Sequence, residues 1–515
     1  MTTRSRNNRK KAESSRAESR SRPIPPWQWF LLAAAAPIAL CAARLNQDLW
    51  HDEIYTLVTF AAAGPAKIVT DYSAPNNHVL YSLVLWLVQQ FSTTNFALRL
   101  PSVAFSIGTL AMTFRAAWRL GDQTMAVLAT LLLGLNQMFL IHAVQVRGYP
   151  LAMFLFAWLI NLAIPEQGSL RFSRLAGIAL VGAAFLYVTP SDLLFFAPLA
   201  AAALVWQAAT AKRAAIDETP VERTTTRRML AAVCAAWGAA FALAALCYAP
   251  IAGQVFEHRG AGTQFTPDAI LFAAETFLKP ATHDFVYFGP VFLLGPLAWC
   301  VRRFRGREVG SPAALVLSLG TILAAFLLTA ALGVSPFPRN FTPLLPLVAM
   351  GQTWTVRELL RAIPWKGERA TNAASLVAVL VVVAVLAPQL AAYPTRLDAY
   401  CRQHPGAHDG YFNYYAAGYR PAAIVARVKE LTADGRPYRI CYAEEDHWNL
   451  AFYFKQAGVP LARRASDRSD SAARVFVISP HAADWADIAT RCELPEAELR
   501  QLPIIEDFGY YVLKG

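Results

Sequence analysis

The sequence predicts a mainly α, polytopic membrane helical bundle of about eleven spans, with a long first outer loop and a small C-terminal α/β domain. Three observations carry this. Over 515 residues, 56% are hydrophobic and only 16% charged, far more apolar than a soluble protein of that length. Apolar runs of bilayer-crossing length, roughly 17 to 25 residues, recur along most of the chain. The Lys and Arg residues behind the net charge of +12 fall in short clusters between those runs rather than along one soluble face. That distribution is a topology signal and argues against nucleic acid as a partner.

Residues 1–26 form a polar, Arg-rich tail with too little apolar content to fold alone, so it is expected to be disordered and cytoplasmic. The run 27–45 has the look of a signal peptide, but the spans that follow it favour an uncleaved first crossing. Further runs cover 98–120, 124–144, 148–164, 175–190, 192–209, 229–251, 285–301, 311–333, 341–356 and 372–392. With the N-terminus inside a cytoplasmic (inner) membrane, the cytoplasmic loops carry Arg115 and Arg119, Arg171 and Arg174, the stretch 212–228, "RRFRGR" at 302–307, and 357–369. All are basic, as the positive-inside rule requires.

The run "HVLYSLVLWLVQQF" at 78–91 is too short to cross and would invert every later loop, so it is read as a juxtamembrane helix. Residues 46–97 then form one long outer loop. Together, residues 27–392 make the membrane domain, and 393–515 an extracytoplasmic domain with strand candidates "YRICYA", "ARVFVIS" and "YYVLKG" and a helix "HWNLAFYFKQAG" ending at Gly458. In that oxidising compartment Cys401, Cys441 and Cys492 allow one disulfide and leave one thiol over.

The outer loop opens with "LNQDLWHDEIYT" at 45–56, which places His51, Asp52 and Glu53 together beside two aromatic residues suited to an interface, Trp50 and Tyr55. Its middle, "APNNHVLYSL" at 74–83, sets Asn76, Asn77 and His78 at the start of the short helix, where free backbone N–H groups favour an anion or polar ligand. The Asn residues also suit plain helix capping, but His78 adds a titratable group that capping does not need. Asp192 and the segment 256–284 are expected to cover the site, and the acidic "EEDH" at 444–447 reads as the first turn of a helix.

These features, with "FALRLPS" at 96–102 and "QVRGYPL" at 145–151, resemble the GT-C glycosyltransferases, in particular the bacterial enzymes similar to protein O-mannosyltransferases and to the lipid A aminoarabinose and galacturonic acid transferases. The resemblance covers roughly 27–350 and is strongest over 45–155. It implies a polyprenyl-phosphate-linked sugar as donor, a glycan, lipid or protein as acceptor, and inversion at the anomeric carbon. It also implies Asp52 as catalytic base, Glu53 orienting the acceptor or sharing that role, and substrate contacts from His51, Asn76, Asn77, His78, Tyr81, Gln145 and Tyr149. The chemistry is independently sound, because an attacking hydroxyl must lose a proton and a positioned carboxylate takes it. A lipid-linked phosphate as leaving group needs cations at membrane depth. Arg99, Arg147 and Arg339 all fall on the outer face, and an Arg fork binds phosphate oxygens bidentately. Each alone would also suit interfacial snorkelling.

Where many relatives carry a second acidic residue, this chain has Gln145, which weakens a metal bridged by two loops. No spacing matches a recognised metal motif, so no cofactor is assigned, and a divalent cation held by His51, Asp52, Glu53 and His78 stays an open alternative. The rival readings are a multispan flippase or transporter of lipid-linked glycan and an O-antigen ligase or polymerase. Against the first stand the absence of an internal repeat and of a phosphate-cradling loop.

Overall fold

The computed structural model describes residues 25–165, 171–214, 220–257, 263–264, 289–306, 313–332, 334–335, 338–363, 377–381, 384, 420–442, 447–463, 474–480, 485–508 and 511–515. Residues 1–24, most of the segment 256–284, most of the run 372–392, Cys401 and residues 444–446 of the acidic motif lie outside them.

The described chain opens with α1 (Pro26–Ala42), then the short α2 (His51–Tyr55), α3 (Pro65–Thr70) and α4 (Val79–Gln89) of the 46–97 loop. The long α5 (Asn95–Leu120) begins at Thr94, whose hydroxyl accepts from Ala97 N. After it come α6 (Gln123–Gly134), α7 (Gln137–His142), α8 (Tyr149–Ala163), α9 (Phe172–Leu186), α10 (Leu193–Ala214), α11 (Pro220–Tyr248) and α12 (Ala252–Glu257). A two-residue ladder, β1 (Thr263–Gln264) with β2 (Val334–Ser335), flanks α13 (Gly289–Phe304) and α14 (Thr321–Ala331). A tight turn, Pro338–Leu344, then leads into α15 (Leu345–Ala362).

Three helical stretches are long and apolar enough to cross a membrane: Asn95–Leu120, Pro190–Thr210 and Arg227–Glu257. Several others, among them α1, α6, α8 and α9, are apolar but only 10 to 17 residues long. Among the described residues, then, fewer uninterrupted spans are seen than the sequence suggests, and two of the runs are interrupted for local reasons. The run 124–144 breaks after Gly134, because the Asn136 side chain accepts from Phe139 N (3.1 Å) and starts a new helix. The run 311–333 passes through a widened turn at Val316–Gly320. Helix α4, with 11 residues, spans about 17 Å, too short to cross.

Helix α5 is the axis of the bundle and packs against α8, α6 and α1; α15 backs α6 and α13, and α9 joins α8 to α11. At Gly134 a Cβ would run into the Pro37 ring, so glycine is what lets α6 approach α1. Trp50 is buried in this core rather than standing at an interface.

Residues 420–515 carry a mixed five-stranded sheet, ordered β4 (Ala462–Arg463), β3 (Tyr438–Tyr442), β5 (Arg474–Pro480), β7 (Tyr511–Lys514), β6 (Ile504–Asp507), with β3 and β5 parallel and the other pairs antiparallel. Around it lie α16 (Pro421–Leu431), α17 (His447–Ala457), α18 (Trp485–Cys492) and α19 (Glu496–Gln501). Cys441 of β3 and Cys492 of α18 form a disulfide.

Candidate active site

The site forms where four chain segments meet: the start of α2, the loop ahead of α4, the α7–α8 loop, and the turn at 338–344. Asp52 stands in the first turn of α2, where acidic side chains suit the helix dipole. Its Oδ2 lies 2.8 Å from Arg147 Nη1 and 3.6 Å from Arg339 Nη2. Its Oδ1 accepts from Asn76 Nδ2 (3.2 Å). The Asp52 side chain keeps 13% exposure and Arg339 18%, against 2% for Arg147, so one face of the cluster is open to an incoming group. Burial by itself would push the Asp52 carboxyl up; Arg147, Arg339, His51 and the Asn76 amide outweigh it and hold the group below the ordinary carboxylate range.

The cluster is rich in donors. Arg147 Nε and Gln145 Nε2 are buried and have no acceptor among the described residues. His78 Nδ1 accepts from Gly148 N (3.0 Å), while its Nε2 faces Arg147 Nη2 at 2.9 Å. Burial, then Arg147 and Arg339, drive the His78 pKa well below its usual value, so the ring is neutral. A neutral imidazole has one acceptor nitrogen. Gly148 N–H and Arg147 Nη2–H both aim at ring nitrogens, and a neutral ring accepts from only one of them. Glycine at 148 is required for this approach, since a Cβ there would collide with the His78 ring and Val188. Tyr149 completes the wall: His78 and His142 each lie 5.0 Å from its ring, and the Arg147 guanidinium sits over it at 5.6 Å. Burial also lowers the His51 pKa, against the pull of Asp52.

Several expected site residues are engaged in contacts within the protein. Glu53 is fully buried and paired with Arg99 through both oxygens, at 2.8 and 2.9 Å, and it also accepts from Val146 N and Trp50 N. Arg99 further donates to the carbonyls of Gln47, Asp48 and Val144. A guanidinium so saturated has little left for a phosphate, and a carboxylate so paired has none for an acceptor. Asn77 points away from the cluster: its amide donates to Ile68 O and Asp71 O and accepts from Ser82, which folds the loop back on itself. Tyr81 shares a hydrogen bond with Ser102, whose hydroxyl also donates to Gln145 O. The start of α4 is equally occupied, because Leu80 N donates to Tyr187 O and Ser82 N to His78 O. Gln145 Oε1 sits 2.9 Å from His142 Nδ1.

A divalent cation does not fit. Glu53 faces Arg99 and Asp52 faces Arg147 and Arg339, so each carboxylate already has its countercharge. Among the described residues no three His, Cys, Asp or Glu side chains gather as a metal site.

Sequence reasoning passed over Asp48, although it belongs to the quoted stretch and is the first of its three acidic residues, and it passed over Tyr453 altogether. Asp48 Oδ2 accepts from Ala422 N (2.9 Å), and Leu49 N donates to Tyr453 Oη (2.6 Å). No spacing in the chain points to a contact across some 400 residues.

No family model matches the chain, and no curated protein matches it. Among solved structures it is similar to ArnT from Cupriavidus metallidurans bound to undecaprenyl phosphate, at 12% identity, covering 95% of this chain and 98% of that one with a TM-score of 0.49. The apo state of the same protein aligns at 13% identity, over 95% and 97%, with a TM-score of 0.46. The archaeal oligosaccharyltransferase AglB from Archaeoglobus fulgidus, in complex with an inhibitory peptide and a dolichol-phosphate, aligns at 11% identity, over 88% and 69%, with a TM-score of 0.40.

Proposed function

We propose that the chain is a GT-C-type membrane glycosyltransferase. In this reading it moves a sugar from a polyprenyl-phosphate donor to an acceptor hydroxyl at the outer face of the cytoplasmic membrane, with inversion and with Asp52 as general base. The observation that carries the reading is the convergence of donors on one carboxylate. Arg147 and Arg339 both reach Asp52, and the buried Arg147 Nε and Gln145 Nε2 beside them have no acceptor among the described residues. Donors gathered in this way suit the oxygens of a phosphodiester.

The acceptor oxygen attacks C1 of the sugar as the C1–O bond to phosphate breaks, and that oxygen leaves with the bonding pair as free polyprenyl phosphate. The acceptor proton passes to Asp52. A carboxylate held ionised by two guanidiniums is a weak base, since its pKa is depressed. The donor phosphate relieves this by drawing Arg147 and Arg339 toward itself, so the base gains strength once donor is bound. Arg339 is the more exposed of the two. Asn76 keeps Asp52 oriented throughout.

The reading places the N-terminus in the cytoplasm and the C-terminal domain outside, in keeping with the basic inner loops and with the Cys441–Cys492 disulfide, a bond typical of oxidising compartments.

Purified protein given radiolabelled polyprenyl-phosphate sugar and an envelope acceptor fraction is expected to transfer label and release free polyprenyl phosphate together. Movement of intact donor across a vesicle, with no release, would replace this reading with the flippase one. In the same assay Arg339→Ala is expected to weaken donor binding about 10-fold or more, the size of a lost charged hydrogen bond. Arg339→Lys restores it only in part, because the bidentate fork is gone. Unchanged donor affinity in Arg339→Ala would remove it from the phosphate site.

A further inference from the structure

We infer that the C-terminal sheet domain is a working part of the active site: it fixes the backbone at Asp48 and Leu49, just ahead of α2, and Tyr453 is the positioning residue through which it acts. This rests on the reading of Asp52 as base.

Helix α2 has five residues and runs on into the helical turn Thr56–Ala61, a segment too short to hold its own conformation without tertiary contacts. Glu53 is anchored by Arg99 and Val146 N, and the chain ahead of the helix is gripped from two sides. From the membrane side, α5 supplies Arg99, which donates to Asp48 O (2.8 Å), and Asn95, which donates to Asp48 Oδ1 (3.3 Å). From the opposite side the C-terminal domain supplies the Tyr453 hydroxyl, which accepts from Leu49 N at 2.6 Å, and Ala422 N, which donates to Asp48 Oδ2 at 2.9 Å. The two groups belong to α17 and α16, which pack on each other, and α17 packs directly against α2. Ala422 lies in the first turn of α16, so the positive end of that helix also meets the Asp48 carboxylate. Both Leu49 and Tyr453 are buried, so water does not substitute for the lost partner if either bond is broken.

Asp52 lies four residues beyond Asp48, across the extended Trp50, and a shift of about 1 Å in a reacting group costs on the order of 10²-fold in rate. Arg147 and Arg339 stand on other elements, so donor binding is expected to survive a loosened grip. Loosening it thus separates turnover from donor binding, which a general loss of stability does not do.

The experiment uses the full chain in lipid nanodiscs, with hydrogen exchange over residues 46–56, donor binding and single-turnover transfer read on each preparation. Tyr453→Phe keeps the ring and removes the acceptor oxygen. It is expected to speed exchange in 46–56 about 10-fold and slow transfer about 10-fold, with donor affinity within about twofold. Ala422→Pro removes the second contact at a first-turn position that tolerates proline, and it is expected to give the same pattern if the Phe variant folds poorly. Glu430→Gln, at the exposed far end of α16, is expected to match wild type. Wild-type exchange and transfer in both folded variants would overturn the proposal, and so would a parallel fall of donor binding, transfer and melting temperature. Absence of transfer in wild type would instead sink the transferase reading, and the exchange rates alone would then decide whether the domain grips the loop.

Discussion

Asp52→Asn is expected to lower turnover by about 10²-fold or more while donor affinity stays the same or rises. The substitution preserves shape. Its carbonyl still accepts from the Arg147 and Arg339 forks, and Asn76 turns its amide over to meet the new NH2 group. What is lost is the ability to take the acceptor proton and the negative charge that competes with the donor phosphate for both guanidiniums. The two effects have opposite signs, which makes the result hard to imitate by misfolding. In wild type, the depressed Asp52 pKa keeps the base ionised as pH falls through the ordinary aspartate value of about 3.9, so the acid limb of kcat/KM from this group lies below it. Donor binding and turnover measured on one well-folded preparation check this. Near-normal turnover in the Asn variant would end the assignment of Asp52 as base.

Arg99→Ala is expected to destabilise the fold by about 3–5 kcal/mol, the usual cost of leaving a buried charge without its partner. Glu53 would lose both contacts of its ion pair, and the carbonyls of Gln47, Asp48 and Val144 would each lose a donor. Thermal unfolding and the yield of monodisperse protein measure it. Replacing both members, Arg99→Leu with Glu53→Leu, is expected to cost less than the single change, because no uncompensated charge stays behind. A well-folded Arg99→Ala protein with normal melting and weak donor binding would return Arg99 to the phosphate site.

The contrast between Asp52 and Glu53 explains how far the site was legible. Adjacent residues on a helix start point about 100° apart, so two neighbouring carboxylates seldom share a task. Sequence puts both at the outer end of the first apolar run and gives no hint which one faces inward. The same holds for Arg99 and Arg147. Sequence reading expects each on the outer face, yet only the fold shows that one is saturated by carbonyls and Glu53 while the other meets Asp52. Asn76 and Asn77 divide likewise, one onto the carboxylate and one into the loop. The break at Asn136 escaped because hydropathy registers the apolar run and not the side-chain cap inside it.

The sequence by itself determined the apolar, helical character of the chain, the polar loop between α1 and α5, the short helix after Asn77, and the candidacy of Asp52, Arg147 and Arg339. These follow from local pattern: hydropathy, charge clusters and residue chemistry act over a few turns and can be read in order along the chain. Only the tertiary structure decided which cations reach which carboxylate, and that residues 422 and 453 grip the chain beside residue 48. Those outcomes depend on contacts between segments from about 100 to 400 residues apart, whose distances are set by packing of the whole bundle and leave no trace in any local period.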